Sequence, residues 1–321
     1  MRYLVTGAAG FIGSNLAEAL TADGHEVVGV EGFTPYYERE VKENNLSRLR
    51  GRDGFSLVER DLREASLDDC LEGVDVVMHL AGQPGVRSSW GEEFQDHVGH
   101  NIVATQRLLE AVRDAGVKRF VYASSSSVYG NAASYPTRET DLPRPFSPYG
   151  VTKLSAEHLC GVYAANWGVP TVSLRYFTVY GPRQRPDMAF HRFIEATLAG
   201  RALDLYGDGG QRRDFTFVSD VVAATRMAAE CESPPGTVLN IAGGSHATIR
   251  EVLELIGEAA GTPPIVNSLP GVPGDVAETR AECNRADEVL GWRPAIGLSE
   301  GLAAQVAWHR SRFGASEAAR G

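Results

Sequence analysis

The chain contains 321 residues, a length that suggests two lobes rather than a single core. Its 43% hydrophobic and 22% charged residues are typical of a globular protein, and its net charge of −10 disfavours a surface for nucleic acid or anionic membranes. Since no apolar run approaches the ~20 residues of a membrane span, we expect neither a nucleic-acid nor a membrane partner.

The cysteines are scattered through the chain without the spacing of a metal site: Cys70, Cys160, Cys231 and Cys283. Unpaired thiols of this kind are typical of the reducing cytosol. The first predicted strand begins at residue 2 or 3, which leaves no room for a signal peptide. We therefore expect a cytoplasmic protein without a metal ion.

The first strand, residues 2–6, runs directly into a glycine-rich turn and then into a helical pattern at residues 14–22. Gly7, Gly10 and Gly13 form the motif Gly-x-x-Gly-x-x-Gly in this turn. Glycines let the backbone approach a pyrophosphate, which then lies at the helix N-terminus. Strand, glycine turn and helix in this order predict a dinucleotide-binding site.

An acidic residue, Glu31, follows the second predicted strand, residues 26–30. It lies roughly 20 residues beyond the glycine motif, where a carboxylate hydrogen-bonds the ribose diol of an adenosine and repels a 2′-phosphate. The position of Glu31 therefore predicts NAD rather than NADP.

Short apolar strands alternate with helices through the rest of the first half. Strands are predicted at residues 56–58, 74–80 and 119–123, and the longest helix at residues 98–115. This alternation predicts an α/β fold with a Rossmann-type doubly wound parallel sheet.

The loops after these strands are the expected ligand-binding loops, because ligands bind at the carboxyl ends of parallel strands. Asp61 and Leu62 follow the third strand and are placed to reach an adenine. Ala81 and Gln83 follow the fourth strand and would lie beside a cofactor, and Arg87 lies further along the same loop.

The most informative stretch begins with four serines, residues 124–127, at the end of the fifth predicted strand. Further on, Pro148 precedes Tyr149 and Lys153. A proline at the first turn of a helix places these two residues on one helix face. A free tyrosine titrates near pH ~10, whereas a base for an alcohol should titrate near ~7, and a nearby cation shifts the pKa in that direction. The pattern predicts a proton-transfer site.

A strand at residues 169–177 leads into a loop rich in proline and arginine, which begins at Thr178 and opens a lobe of different character. We expect residues 1–175 and 213–245 to form the NAD-binding domain. Residues 176–212 and 246–321 are expected to form a smaller C-terminal α/β lobe, where the substrate binds.

Together, these motifs resemble the extended short-chain dehydrogenase/reductases, specifically the nucleotide-sugar epimerase/dehydratase family. The resemblance covers the chain from Tyr3 to about Trp308 and keeps the motifs in the family's order. It implies that Tyr149 is the general base, that Lys153 holds the nicotinamide ribose and lowers the tyrosine pKa, and that Ser125 hydrogen-bonds the reacting sugar hydroxyl.

The resemblance also implies which residues contact NAD. They come from the glycine turn, the strand ends, the long helix and the catalytic pair: Gly7, Gly10, Phe11, Ile12, Gly13, Glu31, Asp61, Leu62, Leu80, Ala81, Gln83, Asn101, Tyr149, Lys153 and Tyr176.

The type of reaction follows from which acids are missing. The family's 4,6-dehydratases carry an Asp-Glu pair before Val-Tyr-Gly, and its UDP-glucuronate decarboxylases keep a glutamate there. Here Ser126 and Ser127 stand in those places, ahead of Val128, and we expect both serines to contact substrate. The resemblance therefore implies 4-epimerisation: C4 is oxidised, the keto sugar rotates, and reduction occurs on its other face.

The stretch from Arg175 to Ala189 resembles that of the UDP-glucuronate 4-epimerases. A C6 carboxylate calls for a cation and a hydroxyl donor, which Arg185 and Thr178 supply. Because the 4-keto intermediate of glucuronate is a β-keto acid, holding this carboxylate in the equatorial position would also suppress loss of CO2.

Alternatives are a UDP-glucose or UDP-N-acetylglucosamine 4-epimerase, a UDP-glucuronate decarboxylase, TDP in place of UDP, and a non-catalytic NAD-sensing protein. The intact set of Ser125, Tyr149 and Lys153 argues against the last.

The remaining expectations concern the nucleotide and the oligomer. Arg213 resembles the family's diphosphate-binding arginine, and Asp275 resembles its ligand for the uridine ribose. Uracil is expected against the backbone near Ala189 and Phe190, while Arg87 and Arg192 are candidate contacts for the diphosphate or the carboxylate. Family members usually form homodimers through helices, here those predicted at 98–115 and 153–167.

Overall fold

The computed structural model describes residues 1–64, 66–270 and 276–318, and within them seven strands form one parallel sheet. The strands of the protein are β1 (Arg2–Thr6), β2 (Glu26–Glu31), β3 (Phe55–Glu59), β4 (Val76–His79), β5 (Arg119–Ser125), β6 (Thr171–Tyr176), β7 (Val179–Tyr180), β8 (Ala202–Tyr206), β9 (Arg212–Phe217), β10 (Thr237–Ile241), β11 (Ser245–Thr248) and β12 (Ile265–Leu269).

The helices are α1 (Phe11–Ala22), α2 (Arg39–Asn45), α3 (Asp68–Leu71), α4 (Phe94–His97), α5 (Ala104–Arg113), α6 (Pro148–Trp167), α7 (Ala189–Leu198), α8 (Val218–Glu230), α9 (Ile249–Ala260), α10 (Asn284–Leu290) and α11 (Leu298–Ala318). None of the helices in the described ranges is long and apolar enough to cross a membrane.

The parallel sheet has the strand order β10-β6-β5-β4-β1-β2-β3, and helices cover both of its faces. On one face, Leu16 of α1 and Val221 of α8 belong to the same buried cluster as Val5. On the other face, Leu108 of α5 and Ala156 of α6 pack with residues of β4 and β5. Central strands such as β4 are buried throughout, which explains their continuous apolar sequence. The predicted doubly wound sheet is confirmed.

The order of the strands reverses between β1 and β4. From this point the chain builds the sheet outward in both directions, so the loops after β1 and β4 diverge and leave a crevice between them. The glycine turn follows β1 and the loop containing Gln83 follows β4. The topology therefore places the two predicted cofactor loops side by side.

Two smaller sheets lie in the described part of the second half. Strands β7, β9 and β11 form one, and β8 pairs with β12 in the other. The sequence did not predict β7, β9, β11 or β12, because they are short or largely polar and pair with partners far along the chain. The predicted division into two domains stays a prediction.

The helix predicted at residues 98–115 has a different form. A π-helical stretch, Val98–Val103, joins α4 to α5, so regular α-helical geometry resumes only at Ala104. In contrast, α6 begins at Pro148 with Ser147 as its N-cap, as the sequence predicted for the helix that carries Tyr149.

The tightest point of the glycine turn gives a testable prediction. A Cβ added at Gly13 would overlap the carbonyl of Gly7, with the carbonyl carbon only 2.9 Å away. Because this obstacle is backbone, it cannot rotate aside, and we expect Gly13→Ala to lower the free energy of unfolding by about 1–3 kcal/mol in urea titrations. The matched control is Gly161→Ala on α6, where nothing lies within 4 Å of the added Cβ. This control should be neutral or stabilise by up to about 1 kcal/mol, and equal losses in both variants would contradict the packing argument.

Candidate active site

A cavity of about 440 Å³ opens at the carboxyl ends of the parallel strands. Every residue that the sequence predicted for catalysis or cofactor binding lines it. The predicted substrate residues Ser126, Ser127, Thr178 and Arg185 line it as well. The fold thus brings together residues that are separated by up to 178 positions in the sequence.

Several predicted substrate residues lie outside this lining. Arg87 is exposed, and its guanidinium stacks 4.8 Å from the ring centre of Tyr206 on β8. Arg192 is exposed on α7, and Ala189 is the exposed first residue of that helix. These three residues do not line the cavity, so their predicted contacts with the substrate stay predictions.

Phe190 and Arg213 belong to other surroundings. The side chain of Phe190 is buried, with its ring centre 4.8 Å from that of Phe215. Arg213 lies on β9, where its guanidinium donates to the carbonyls of Arg212 and Ala277. Asp275 lies outside the described residues.

The glycine turn forms a cradle at the start of the cavity. Gly7 has a positive φ of 70°, and a Cβ there would lie 2.9 Å from the backbone nitrogen of Ala81. Gly10 caps α1 without any side-chain hydrogen bond, so the first amides of the helix are not covered by a capping side chain. A cradle without side chains at a helix N-terminus fits the pyrophosphate of a dinucleotide.

The ribose-binding carboxylate has a partner that the sequence did not predict. Glu31 accepts hydrogen bonds from the backbone nitrogens of Ala9 (3.2 Å) and Phe33 (3.1 Å). The buried ammonium of Lys42 also donates to Glu31, at 3.2 Å. Lys42 lies in a charged segment without any motif, so the sequence contains no signal for this pair. Because Lys42 partly neutralises Glu31, the repulsion of a 2′-phosphate is weaker than the sequence alone suggests.

Asp61, the second carboxylate in the lining, is also paired. Nε of Arg63 donates to Oδ1 of Asp61 at 3.1 Å, and Nη2 donates to Oδ2 at 2.7 Å. This hydrogen bonding lowers the pKa of Asp61, which therefore stays ionised at neutral pH. Glu31 ends β2 and Asp61 follows β3, so both carboxylates lie at the adenosine end of the cavity.

Asn101 joins the loop after β4 to the start of α6. Its amide nitrogen donates to the carbonyl of Gln83 (3.0 Å) and to Oγ1 of Thr152 (2.9 Å), and its amide oxygen accepts from the nitrogen of Gln83 (2.8 Å). Thr152 in turn donates to the carbonyl of Tyr149. The π-helical stretch turns Asn101 into the cavity wall, as such stretches often do at functional sites.

The catalytic candidates meet where α6 approaches the serine turn. A Cβ at Gly150 would lie 2.5 Å from the carbonyl oxygen of Ser127, so α6 and the turn are in close contact. Burial raises the pKa of Tyr149, while its hydrogen bond with Ser125 and the charge of Arg185 act in the opposite direction. Ser125 and Arg185 therefore both act on the pKa of Tyr149, and all three residues line the same cavity.

Lys153 is buried, and its burial shifts its pKa. Burial lowers the pKa of Lys153 to about 8, and its ammonium lies 4.5 Å from the ring centre of Tyr122. The sequence predicts that Lys153, together with a bound nicotinamide ring, lowers the pKa of Tyr149, and this role stays a prediction. In the protein alone, Arg185 is the cation that acts on Tyr149.

A buried network supports the serine turn from below. Glu157 accepts a hydrogen bond from Ser124 at 2.6 Å, and Nε and Nη2 of Arg175 donate to its two oxygens at 3.0 and 2.6 Å. Nη1 of Arg175 donates to the hydroxyl of Tyr129, which donates to Asn240 on β10. Glu157 follows Lys153 by one helical turn, which is the signal in the sequence that could have revealed it.

The arrangement can remove a proton from an alcohol. Tyr149 can accept the proton, Ser125 can orient the hydroxyl, and Arg185 supplies a cation beside them. The carboxylates of the lining, Glu31 and Asp61, lie at the other end, since β2 and β5 are three strand spacings apart, roughly 14 Å.

Comparisons with known proteins agree with this geometry. Residues 3–242 match the model of the NAD dependent epimerase/dehydratase family. An uncharacterised UDP-glucose epimerase of Bacillus subtilis (strain 168) is 44% identical over 98% of this chain and 99% of its own length. A probable UDP-glucuronate 4-epimerase of Rhizobium meliloti (strain 1021) is 37% identical over 98% of each chain. The crystal structure of UDP-glucuronic acid 4-epimerase from Bacillus cereus, in complex with UDP-glucuronic acid and NAD, has a TM-score of 0.94 at 44% identity, covering 97% of this chain and 100% of that one.

The lowered pKa of Lys153 predicts how stability depends on pH. Between the folded pKa of about 8 and the usual 10.5, the folded protein has released the Lys153 proton while the unfolded chain still holds it. Because the unfolded state then binds more protons, stability rises with pH in this window. We expect the unfolding free energy of the nucleotide-free wild type, relative to Lys153→Met, to rise by up to about 3 kcal/mol across it.

Urea unfolding at several pH values measures this difference. The control is Lys118→Met, which changes an exposed side chain that pairs with Asp75. For Lys118→Met, the free energy of unfolding should depend on pH in the same way as for the wild type. The same pH dependence in Lys153→Met and the wild type would contradict the burial of the ammonium.

Proposed function

Because the chain belongs to the NAD dependent epimerase/dehydratase family, we propose that it is an NAD-dependent isomerase that converts UDP-glucuronate into UDP-galacturonate by 4-epimerisation. The observation that carries this proposal is the charge distribution of the cavity. Its catalytic end contains the guanidinium of Arg185, whereas the carboxylates of the lining lie at the adenosine end. A cation beside the reacting sugar suits a substrate with a C6 carboxylate.

Bound NAD would supply the hydride chemistry at C4 of the sugar, which is removal of a hydride from one face and its return to the other. The glycine cradle and Glu31 are the groups that would hold its pyrophosphate and adenosine ribose. Lys153 would bind the nicotinamide ribose, and Asn101 keeps the loop at Gln83 against α6.

The chain's own residues handle the proton. Tyr149 takes the proton of the 4-hydroxyl and later gives it back, and Ser125 hydrogen-bonds the same oxygen. Ser126, Ser127 and Thr178 contact the sugar, and Arg185 binds the carboxylate. Residues 1–175 and 213–245 form the cofactor-binding domain and residues 176–212 and 246–321 the nucleotide-sugar-binding domain. Asp275 of the second domain and Arg213, at the start of the segment 213–245, contact the nucleotide.

Elimination of water is not favoured at this site. A 4,6-dehydratase needs an acid beside C5 and C6, but the carboxylate near the serine turn, Glu157, is buried beneath it and paired with Arg175. The side chains of the serine turn that line the cavity are hydroxyls, which do not supply that acid.

A second candidate is 4-epimerisation of UDP-glucose. The observation in its favour is the 44% identity with a protein named as a UDP-glucose epimerase. In that case Arg185 would contact the diphosphate rather than a carboxylate. Less favoured reactions of the same site are 4-epimerisation of UDP-N-acetylglucosamine and decarboxylation of UDP-glucuronate.

The reaction test uses purified protein without added cofactor, incubated separately with UDP-glucuronate and UDP-glucose, with products resolved by NMR. We expect UDP-galacturonate from the first substrate and little product from the second. UDP-galactose from the second substrate alone would contradict the carboxylate argument. Abundant UDP-pentose would indicate a decarboxylase.

Arg185→Leu tests the residue directly. A hydrogen bond to a charged group contributes about 1.5–3 kcal/mol, so kcat/KM for UDP-glucuronate should fall roughly 10- to 150-fold. The matched control is Arg201→Leu, which removes a 64% exposed arginine that pairs with Glu195 outside the cavity. It should leave kcat/KM unchanged.

We also infer a cytoplasmic homodimer formed through α6 and through α5 with the π-helical stretch that leads into it. Apolar side chains are exposed there, namely Val103 (42%), Val151 (47%) and Val162 (52%). Light scattering after gel filtration should give twice the mass of one chain. The double variant Val151→Glu/Val162→Glu should give one chain, while Val266→Glu on β12 should remain dimeric. A monomeric wild type would contradict the inference.

A further inference from the structure

Arg185 is held by one carboxylate through two hydrogen bonds. Its Nε donates to Oδ1 of Asp187 at 3.0 Å, and its Nη2 donates to Oδ2 of the same residue at 3.0 Å. These contacts occupy one edge of the planar guanidinium. They leave both N–H groups of Nη1 and one of Nη2 for the cavity that Arg185 lines.

Asp187 is itself held by a residue from a distant part of the sequence. The hydroxyl of Tyr36, in the loop after β2, donates to Oδ2 of Asp187 at 3.3 Å. Burial raises the pKa of Tyr36, so this hydroxyl keeps its proton at neutral pH and acts as a donor. Gly85, in the loop after β4, makes room for it, because a Cβ there would lie 2.8 Å from the Tyr36 oxygen. We refer to Tyr36, Asp187 and Arg185 as the clasp.

The clasp removes freedom that Arg185 would otherwise have. An unpaired arginine has many rotamers, and part of this conformational entropy is lost when it binds an anion. The Asp187 pair removes this freedom in advance and fixes the plane of the guanidinium. The remaining N–H groups are therefore presented to a carboxylate in one orientation.

The orientation of the substrate carboxylate decides whether the 4-keto intermediate loses CO2. In the 4-keto intermediate, the bond between C5 and C6 can break: its electron pair passes into the C4 carbonyl as an enolate, CO2 leaves, and C5 takes a proton. The hydride removed earlier from C4 would then return to C4 of the 4-keto pentose and give UDP-pentose. This cleavage needs the C5–C6 bond perpendicular to the carbonyl plane. A carboxylate bound to a guanidinium in a fixed plane cannot rotate freely, which would restrict how often the C5–C6 bond reaches that geometry.

We propose that Asp187 and Tyr36 are positioning residues that fix Arg185 and thereby decide between epimerisation and loss of CO2. This inference rests on the proposed function. Both residues act through Arg185 rather than by touching the sugar. It makes the partition between UDP-galacturonate and UDP-pentose a property of the clasp.

The test compares the holoenzyme with its Asp187→Asn and Tyr36→Phe variants on UDP-glucuronate, with both products quantified by NMR. Asp187→Asn keeps the size of the side chain but places an NH2 group against the arginine donors. We expect the fraction of UDP-pentose to rise at least about fivefold, and KM to rise roughly tenfold, the effect of one hydrogen bond of about 1.4 kcal/mol. Tyr36→Phe removes one oxygen and should raise the pentose fraction about two- to threefold.

Binding supplies a second readout. In a Tyr149→Phe background, calorimetry of UDP-glucuronate and UDP-glucose separates affinity from turnover. Asp187→Asn should weaken binding of UDP-glucuronate roughly tenfold and leave UDP-glucose unchanged, since only the first carries the carboxylate. The matched control is Asp204→Asn on β8, which is exposed and lies outside the cavity lining. It should change neither readout.

An unchanged partition in Asp187→Asn overturns the proposal. A lower KM without UDP-pentose also overturns it, because Asp187 would then act as a counter-ion rather than as a positioning residue. Should Asp187→Asn fail to fold, Tyr36→Phe carries the same test. A wild type that makes no product from UDP-glucuronate rejects the proposed function itself, whereas normal wild-type epimerisation with unchanged variants rejects the clasp alone.

Discussion

The buried ion pair between Glu157 and Arg175 is the interaction on which the catalytic end of the molecule depends. Both side chains are only 4% exposed, so each charge is stabilised by its partner rather than by water. The pair connects α6 to β6, and through Ser124 and Tyr129 it also reaches β5 and β10. Removing one partner would leave an unpaired charge in the core, which destabilises the contact between α6 and β6. Tyr149 and Lys153 lie on the first two turns of that helix, so their placement depends on this pair.

Burial sets the protonation of the catalytic groups. It raises the pKa of Tyr149 and lowers the pKa of Lys153 to about 8, so both groups tend toward their neutral forms in the protein alone. A general base needs the opposite shift at the tyrosine. Among the groups that act on Tyr149, the Ser125 hydrogen bond and the Arg185 charge favour the phenolate. Arg185 therefore acts against burial at Tyr149, and its guanidinium also lines the cavity.

The two ends of the cavity are built by different means. At the adenosine end, Glu31 and Asp61 are paired with Lys42 and Arg63, and the glycine turn gives access to backbone amides. At the sugar end, hydroxyl groups and Arg185 replace carboxylates. This difference separates recognition of the cofactor from the chemistry of the sugar. The clasp joins two loops that are distant in the sequence, because Tyr36 follows β2 and Asp187 lies between β7 and α7.

The sequence by itself determined the features that depend on neighbouring residues. The glycine turn, Glu31 at the end of β2, and Tyr149 and Lys153 on one face of α6 follow from local spacing, and so do the doubly wound sheet and the family resemblance, both of which are confirmed. Only the tertiary structure decided the rest, because those contacts join distant segments without periodicity. Asp187 meets Tyr36 across 151 positions, and Lys42 approaches Glu31 from a segment without a motif. The stacking of Arg87 on Tyr206 was not predicted for the same reason, and neither were the strands β9 and β12. Long-range pairing leaves no pattern in the sequence around each partner.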